Sequence, residues 1–197
     1  MVKGRPKTFE DAEVLEKAKE IFWEKGYDAT TLNDLIDGMG ISRQSMYNTF
    51  GNKHNLFVSC LECYIKDLHD KISHLLQSPK LSTKEKVLHL IDFIQSITDG
   101  ENAPGCMLSS TITELAQKDD KVRKILDQKY IEKFTILESF FQLSLDHNEI
   151  SSRLTAKDLA HLFDSIVLSS TALCKLPNRC EQIENLKKIF LMQIEFH

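Results

Sequence analysis

Apolar residues recur at helical spacing through almost the whole chain. Between about residues 9 and 25 the apolar positions that share one helical face are Val14, Leu15, Ala18, Ile21 and Phe22. A second stretch repeats at i, i+3, i+4 and i+7, and its members are Leu32, Leu35, Ile36 and Met39. This spacing is typical of amphipathic helices and not of strands, which alternate with a period of two.

Capping residues and chain breakers divide this pattern into separate helices. Thr31, Ser82 and Thr155 are each followed three residues later by an acid, as in a capping box. Glycine (7) and proline (4) are sparse, and we expect them to end helices and not to interrupt them. Nine helices and no strands are predicted, over about residues 9–25, 31–39, 42–50, 53–77, 82–98, 106–118, 120–147, 155–176 and 180–195.

The lengths of these helices predict an all-α chain with two domains. Three short helices within residues 1–52 fit a helix-turn-helix domain, with Gly40 in the turn and Ser42 capping the third helix. The long helices within residues 53–197 suit a helical bundle.

Charge changes the picture through its distribution, since the net charge of −4 does not by itself indicate a nucleic-acid partner. The first seven residues carry Lys3, Arg5 and Lys7 and no acid. No Asp or Glu occurs from Gly38 to Leu61. Two positive-leaning patches on an acidic chain could meet a phosphate backbone; chance clustering of charge is the alternative.

The third predicted helix carries side chains suited to reading DNA. In its first turn Arg43 can pair with guanine, Gln44 with adenine and Ser45 with several bases. Further residues suit contacts to phosphate oxygens or cap the helix, and these are Thr31, Ser42, Tyr47, Asn48 and Lys53. A generic helical hairpin with a solvated Arg43 is the alternative. The segment Ser42–Phe50 is therefore predicted to be a recognition helix.

The run Gly40-Ile41-Ser42-Arg43-Gln44-Ser45-Met46-Tyr47-Asn48-Thr49-Phe50-Gly51-Asn52-Lys53-His54-Asn55-Leu56-Phe57 resembles the signature of the tetracycline-repressor (TetR/AcrR) family. Lys25-Gly26-Tyr27 and Thr31 before an Ile/Leu repeat are similar too. The resemblance implies a homodimeric regulator, usually a repressor, that binds a near-palindromic double-stranded operator and senses a small molecule through its C-terminal domain.

The second half is predicted to hold the effector site and the dimer contact. Apolar and aromatic residues suited to a ligand pocket are Phe93, Phe134, Leu137, Phe141, Phe163 and Val167, although ordinary core packing would use the same residues. The last two helices resemble the dimerising pair of the family, with apolar faces made of Leu159, Leu162, Phe163, Ile166, Ile183, Leu186 and Phe190. Burial of these faces inside one subunit is the alternative.

Cysteine chemistry offers another kind of sensor. Cys106 is predicted at a helix N-terminus, whose positive end favours the thiolate, and Lys175 would favour it further if the fold brings the two together. Such a thiol could react with an electrophile or oxidant; a small buried hydrophobe is the plainer reading. Cys60 and Cys63 are at i, i+3, but no second close pair completes a zinc site.

The remaining features exclude several classes of protein. The charged N-terminus lacks the apolar stretch of a signal peptide, no apolar run approaches the ~18 residues of a membrane span, and cytoplasmic location with reduced thiols follows. No phosphate-binding loop or nucleophile elbow occurs, so neither an enzyme nor a cofactor is expected. The predicted function is a ligand-released transcriptional repressor; the alternatives are sensing through Cys106 and a helical interaction protein without specific DNA binding.

Overall fold

The computed structural model describes residues 11–99 and 104–197. Within them the chain forms nine helices, as predicted, and one pair of very short strands. The helices are α1 (Asp11–Lys25), α2 (Leu32–Met39), α3 (Arg43–Phe50), α4 (Lys53–Gln77), α5 (Thr83–Thr98), α6 (Met107–Leu115), α7 (Asp120–Asp146), α8 (Ala156–Leu173) and α9 (Cys180–Leu191). The segment holding Lys3, Arg5 and Lys7 lies outside the described residues.

The three capping boxes form as the sequence predicts. In each one the hydroxyl of the capping residue accepts the backbone N–H three residues on, and the acid at that position accepts the backbone N–H of the cap. The pairs are Thr31 with Asp34, Ser82 with Glu85, and Thr155 with Asp158. These bonds satisfy N–H groups that a helix cannot satisfy itself, which fixes where α2, α5 and α8 begin.

The chain divides into two compact units between Tyr64 and Ile65. The core of the first unit is built around aromatic rings. Phe22 of α1 meets Phe57 of α4 edge-on, with ring centroids 5.1 Å apart, and Tyr27 lies 4.9 Å from the same Phe57 ring. Leu35, Met39 and Met46 are buried as well. The apolar faces of α2 and α3 are thereby removed from water, and their polar faces remain outside.

In the second unit α7 and α8 pack along each other and α9 packs on α8. Phe190 of α9 lies at the centre, 6.1 Å from Phe141 and 5.6 Å from Phe163 between ring centroids. Aromatic pairs at these separations stabilise the fold by more than the burial of their apolar area alone would. The apolar faces of α8 and α9 are consequently buried mostly inside one chain, including Leu159, Phe163, Ile166, Ile183 and Phe190. The prediction that these residues form the dimer contact is corrected in this respect.

The structure differs from the sequence-based prediction at three helix ends. α6 ends at Leu115 and not near Lys118, α8 ends at Leu173 and not near Leu176, and α9 ends at Leu191 and not near Glu195. After α9, Glu195–Phe196 forms an antiparallel ladder with Ile150–Ser151. Strands of two residues are too short to show an alternating pattern, so periodicity could not predict them. Their pairing is accompanied by burial of Ile150 and Ile194.

Gly105 lies where α8 passes the start of α6. Its φ is +73°, and a Cβ added there would stand 2.6 Å from Cγ2 of Thr171. The neighbouring Cys106 N–H donates to Oγ1 of Thr171 at 3.3 Å. Only glycine fits this approach without displacement, both because of the left-handed backbone and because of the methyl group.

We expect Gly105→Ala to lower the free energy of unfolding by more than the roughly 1–2 kcal/mol of left-handed strain, because the new methyl group meets Thr171. Thr171→Ser removes Cγ2 and keeps the hydroxyl. In the double variant the clash disappears, so the free energy of unfolding should fall only by about the cost of the left-handed strain. Urea unfolding of both single variants and the double variant measures this coupling. Simple addition of the two single effects would contradict it.

Candidate nucleic-acid interface

α2 and α3 are joined by a short turn that is set by backbone conformation. Gly40 adopts the left-handed region at φ 68°, and its N–H reaches the carbonyls of Ile36 and Asp37. Ser42 then caps α3, with its Oγ accepting the N–H of Ser45 at 3.1 Å. The end of α2 and the start of α3 are therefore fixed within three residues. This is a helix-turn-helix.

α3 buries one side and exposes the other. Met46 is fully buried, while Ser42, Arg43, Gln44, Tyr47 and Asn48 are exposed and Ser45 is half-buried. The described part of α3 and its caps carries no acidic side chain. The exposed face is therefore polar and positive, as a helix that enters a DNA groove must be.

Two hydrogen bonds order the polar side chains on this face. Nη2 of Arg43 donates to Oδ1 of Asn33 in α2 at 3.1 Å. Nε2 of Gln44 donates to Oδ1 of Asn48, one turn further along α3, at 3.1 Å. Sequence reasoning did not select Asn33. The signal that could have found it is an exposed amide in the first turn of α2, ten positions before Arg43.

Lys53 is held at the start of α4 by an aromatic ring. Its Nζ lies 4.3 Å from the centroid of Tyr27, a distance at which a cation is attracted to the ring face. The Tyr27 ring also meets Phe57, so the aromatic core of the first unit positions the ammonium. Tyr27 is a second residue that sequence reasoning used only for the resemblance and not for the site.

The donors at the start of α2, which could bind a phosphate group, are already bonded to a carboxylate. Both the N–H and the hydroxyl of Thr31 donate to Oδ2 of Asp34, at 2.8 and 2.7 Å. The Lys25 ammonium, 2.6 Å from Oδ1, and then the Thr31 bonds hold the pKa of the Asp34 carboxyl well below its usual range. A phosphate oxygen at Thr31 would face this carboxylate, so a contact there requires the Thr31 hydroxyl to change partner.

The residues proposed for sensing lie in different surroundings. Phe141, Phe163 and Val167 are buried in the core of the second unit. Phe134 lies against His161, with ring centroids 4.0 Å apart, and Phe93 is half-buried. A cavity of about 370 Å³ opens between α6, α7 and α8, and its walls are made by other residues.

Cys106 and Lys175 are brought to the same end of the second unit. Cys106 is 2% exposed and forms the N-terminal boundary of α6. Lys175, just after α8, has its Nζ 3.4 Å from Oγ of Ser110, one turn along α6 from Cys106. Cys60, which the sequence places three residues before Cys63, lies in other surroundings. Its S–H donates to the Leu15 carbonyl at 3.7 Å. Burial raises the pKa of that thiol, which disfavours the thiolate that metals bind.

Among the described residues no helix is both long and apolar enough to cross a membrane. Residues 14–60 match the sequence model of the family described as bacterial regulatory proteins, tetR family. The uncharacterized HTH-type transcriptional regulator YezE of Bacillus subtilis (strain 168) is 28% identical over 188 residues, which covers 92% of this chain and 94% of YezE. The repressor ComR of Escherichia coli (strain K12) is 26% identical over 166 residues, covering 84% of this chain and 79% of ComR.

Solved structures agree on the fold. NemR of E. coli in its reduced form superposes with a TM-score of 0.82 at 16% identity, covering 94% of this chain and 97% of that one. A cysteine mutant of the TetR-family regulator CifR, complexed with 26 bp double-strand operator DNA, gives 0.76 at 22% identity and covers 95% and 98%.

The fold and the exposed face of α3 define a helix-turn-helix DNA-binding transcriptional regulator. Residues 14–60 carry the DNA-binding domain of the tetR family of bacterial regulatory proteins, as the resemblance of residues 40–57 predicted. Its relatives are transcriptional regulators, a role that does not involve catalysis.

Asp34→Asn should make the first unit less stable at neutral pH, because it removes the ion pair with Lys25. The folded-state pKa of Asp34 is lowered, so its stabilisation is complete above the ordinary pKa of Asp and is lost as pH falls below about 4. Melting temperatures of wild type and variant should therefore differ at pH 7 and converge in acid. Asp37→Asn on the same helix is the control. A difference that is independent of pH would contradict the assignment.

Proposed function

We propose that this chain is a homodimeric transcriptional repressor that binds a near-palindromic operator and leaves it when a small molecule binds. The observation that carries the proposal is the exposed face of α3, which has no acidic side chain. On this face the Arg43 guanidinium is held by a hydrogen bond to Asn33 of α2. Two relatives carry the word repressor or negative regulator in their names, ComR of E. coli and IcaR of Staphylococcus aureus. The protein acts as a binding protein and not as an enzyme, in the cytoplasm where the bacterial chromosome lies.

We assign DNA reading to residues 1–52 and sensing and dimerisation to residues 53–197. Arg43, Gln44 and Ser45 contact base edges from the first turn of α3. Tyr47 and Asn48 on the exposed face, and Lys53 at the start of α4, contact phosphate oxygens, as does Thr31 once its hydroxyl has left Asp34. Ser42 keeps the first turn of α3 in place.

Dimerisation is required because a near-palindromic site presents the same half-site twice. On α9, Ile189 is 49% exposed and Met192, which follows the helix, is 80% exposed. Such large apolar side chains at the surface support a contact with a second copy. The faces of α8 and α9 that pack inside the chain do not supply this contact.

Arg43→Ala should weaken binding to the DNA upstream of the protein's own gene by about 1–3 kcal/mol and relax base preference at one position of each half-site. Tyr47→Phe should weaken binding less and equally for all sequences, because it removes a phosphate contact. Titrations across salt concentrations separate these effects.

Arg153→Ala, an exposed arginine of the second unit, is the matched control and should bind as wild type does. Weak binding of wild type without sequence preference, unchanged by Arg43→Ala, would favour a helical interaction protein without specific DNA binding.

A second candidate is release through modification of Cys106. It is favoured by the position of Lys175, whose Nζ reaches Ser110 one turn from Cys106.

Cys106→Ser should then abolish release from DNA by N-ethylmaleimide while leaving the affinity for DNA unchanged, because serine also caps helices well. Cys180→Ser at an exposed position is the control and should still be released. Measurement of the bound fraction before and after treatment decides the matter: release of the Cys106→Ser variant eliminates this candidate and leaves a reversible ligand.

A further inference from the structure

The cavity between α6, α7 and α8 has walls that change character with depth. Its apolar side is made by Ile112, Ala116, Leu126 and Leu168. Its rim is exposed and includes Arg123 and Asp127. Its polar floor lies deepest, where Lys133 and Asp164 are 8% and 9% exposed. A small apolar body could lie against the walls and would present one end to the floor.

The floor is a buried ion pair with a third member. Nζ of Lys133 donates to Oδ1 of Asp164 and lies 5.0 Å from the centroid of the Tyr130 ring. Burial, and then the Asp164 charge, raises the pKa of Tyr130 to about 12, so the phenol stays protonated. Asp164 is the acceptor for Lys133.

This ion pair is not explained by folding alone. Removing two charges from water costs more than their attraction commonly returns, and apolar residues of similar volume are often as stable. The pair also faces a cavity and not a packed core. An ammonium has three N–H donors, so after its bond to Asp164 Lys133 can still donate to an oxygen placed in the cavity.

The charges of the lining limit what can enter. Two lining side chains are basic, Arg123 and Lys133, and two are acidic, Asp127 and Asp164, so the formal charges cancel. An anionic ligand would reach Lys133 only beside the Asp164 carboxylate, and a cationic ligand would meet Lys133 itself. Burying an unpaired charge is costly in either case. An uncharged oxygen acceptor avoids both penalties.

We propose that this cavity binds an uncharged, mostly apolar molecule that carries one hydrogen-bond-accepting oxygen, with Lys133 as the donor to that oxygen. The proposal rests on the proposed function in one respect, since the occupant is the effector that releases the operator. A volume of about 370 Å³ lies at the small end of ligand pockets, so the molecule is compact, of the size of a single substituted ring.

A matched set of probes tests the chemistry directly: acetophenone, ethylbenzene, benzoate and benzylammonium. They share a ring and differ in the polar end. Calorimetric titration of the full chain without DNA should show acetophenone binding about tenfold more tightly than ethylbenzene, through one added hydrogen bond. Benzoate and benzylammonium should bind more weakly than acetophenone by at least a similar factor. Tighter binding of either ion, or equal binding of acetophenone and ethylbenzene, would overturn the proposal.

Variants of the lining residues test whether acetophenone binds in this cavity. Lys133→Met alone leaves the Asp164 carboxylate buried without its partner and could unfold the chain, so the informative variant is the double replacement Lys133→Met with Asp164→Leu, which leaves no unpaired charge. It should keep ethylbenzene binding and lose the preference for acetophenone. Ile112→Trp should fill the cavity and remove binding of both, whereas Ile131→Trp, at a position of α7 that is 58% exposed, should change nothing. Retained acetophenone preference in the double variant would assign the acceptor to another group.

A DNA measurement separates this proposal from the one on which it rests. Acetophenone binding with the predicted preferences in a chain that binds no specific DNA would overturn the repressor and retain the site. Specific DNA binding by a chain that shows no preference for acetophenone would overturn the site and retain the repressor.

Discussion

An isolated helix of eight residues is not stable in water, because nucleation is costly and few bonds follow it. α3 is such a helix, and the DNA-reading surface depends on what compensates for its length. Ser42 satisfies the N–H of Ser45 at its start, Gly51 ends it with a bond to the Tyr47 carbonyl, and Met46 is fully buried at its centre. Fixed ends and one buried side chain determine which face is left for DNA.

A single side chain both caps α2 and joins it to α1. The Asp34 carboxylate completes the capping box of Thr31 and also accepts the Lys25 ammonium from the end of α1. One side chain therefore sets the beginning of α2 and ties it to the preceding helix. Asn33, the next residue towards the N-terminus, bonds to Arg43, so a helix whose first turn is fixed in this way also orients the side chain proposed to read a base.

In the second unit, by contrast, packing is decided between segments that are distant in the sequence. Phe141, Phe163 and Val167 have the character of pocket residues, yet all three are buried in the core, where Phe141 and Phe163 meet Phe190 of α9. The cavity is lined instead by the polar set Tyr130, Lys133 and Asp164 together with smaller apolar residues. Sequence pattern identifies an apolar face but not the partner that covers it, and for this reason the predicted lining stays a prediction.

Local chemistry is written in the sequence itself. Capping residues, apolar spacing and helix-breaking residues were enough to predict α4 at Lys53–Gln77 and the three capping boxes. They also identified Ser42 as the N-terminal cap of α3, because these features act within about four residues of chain. The tertiary structure alone decided what meets across long separations: Asn33 with Arg43, Lys133 with Asp164, and Ile150–Ser151 with Glu195–Phe196. Such pairs depend on how helices pack, and helix packing is set by the shape of the whole core and not by any single stretch of sequence.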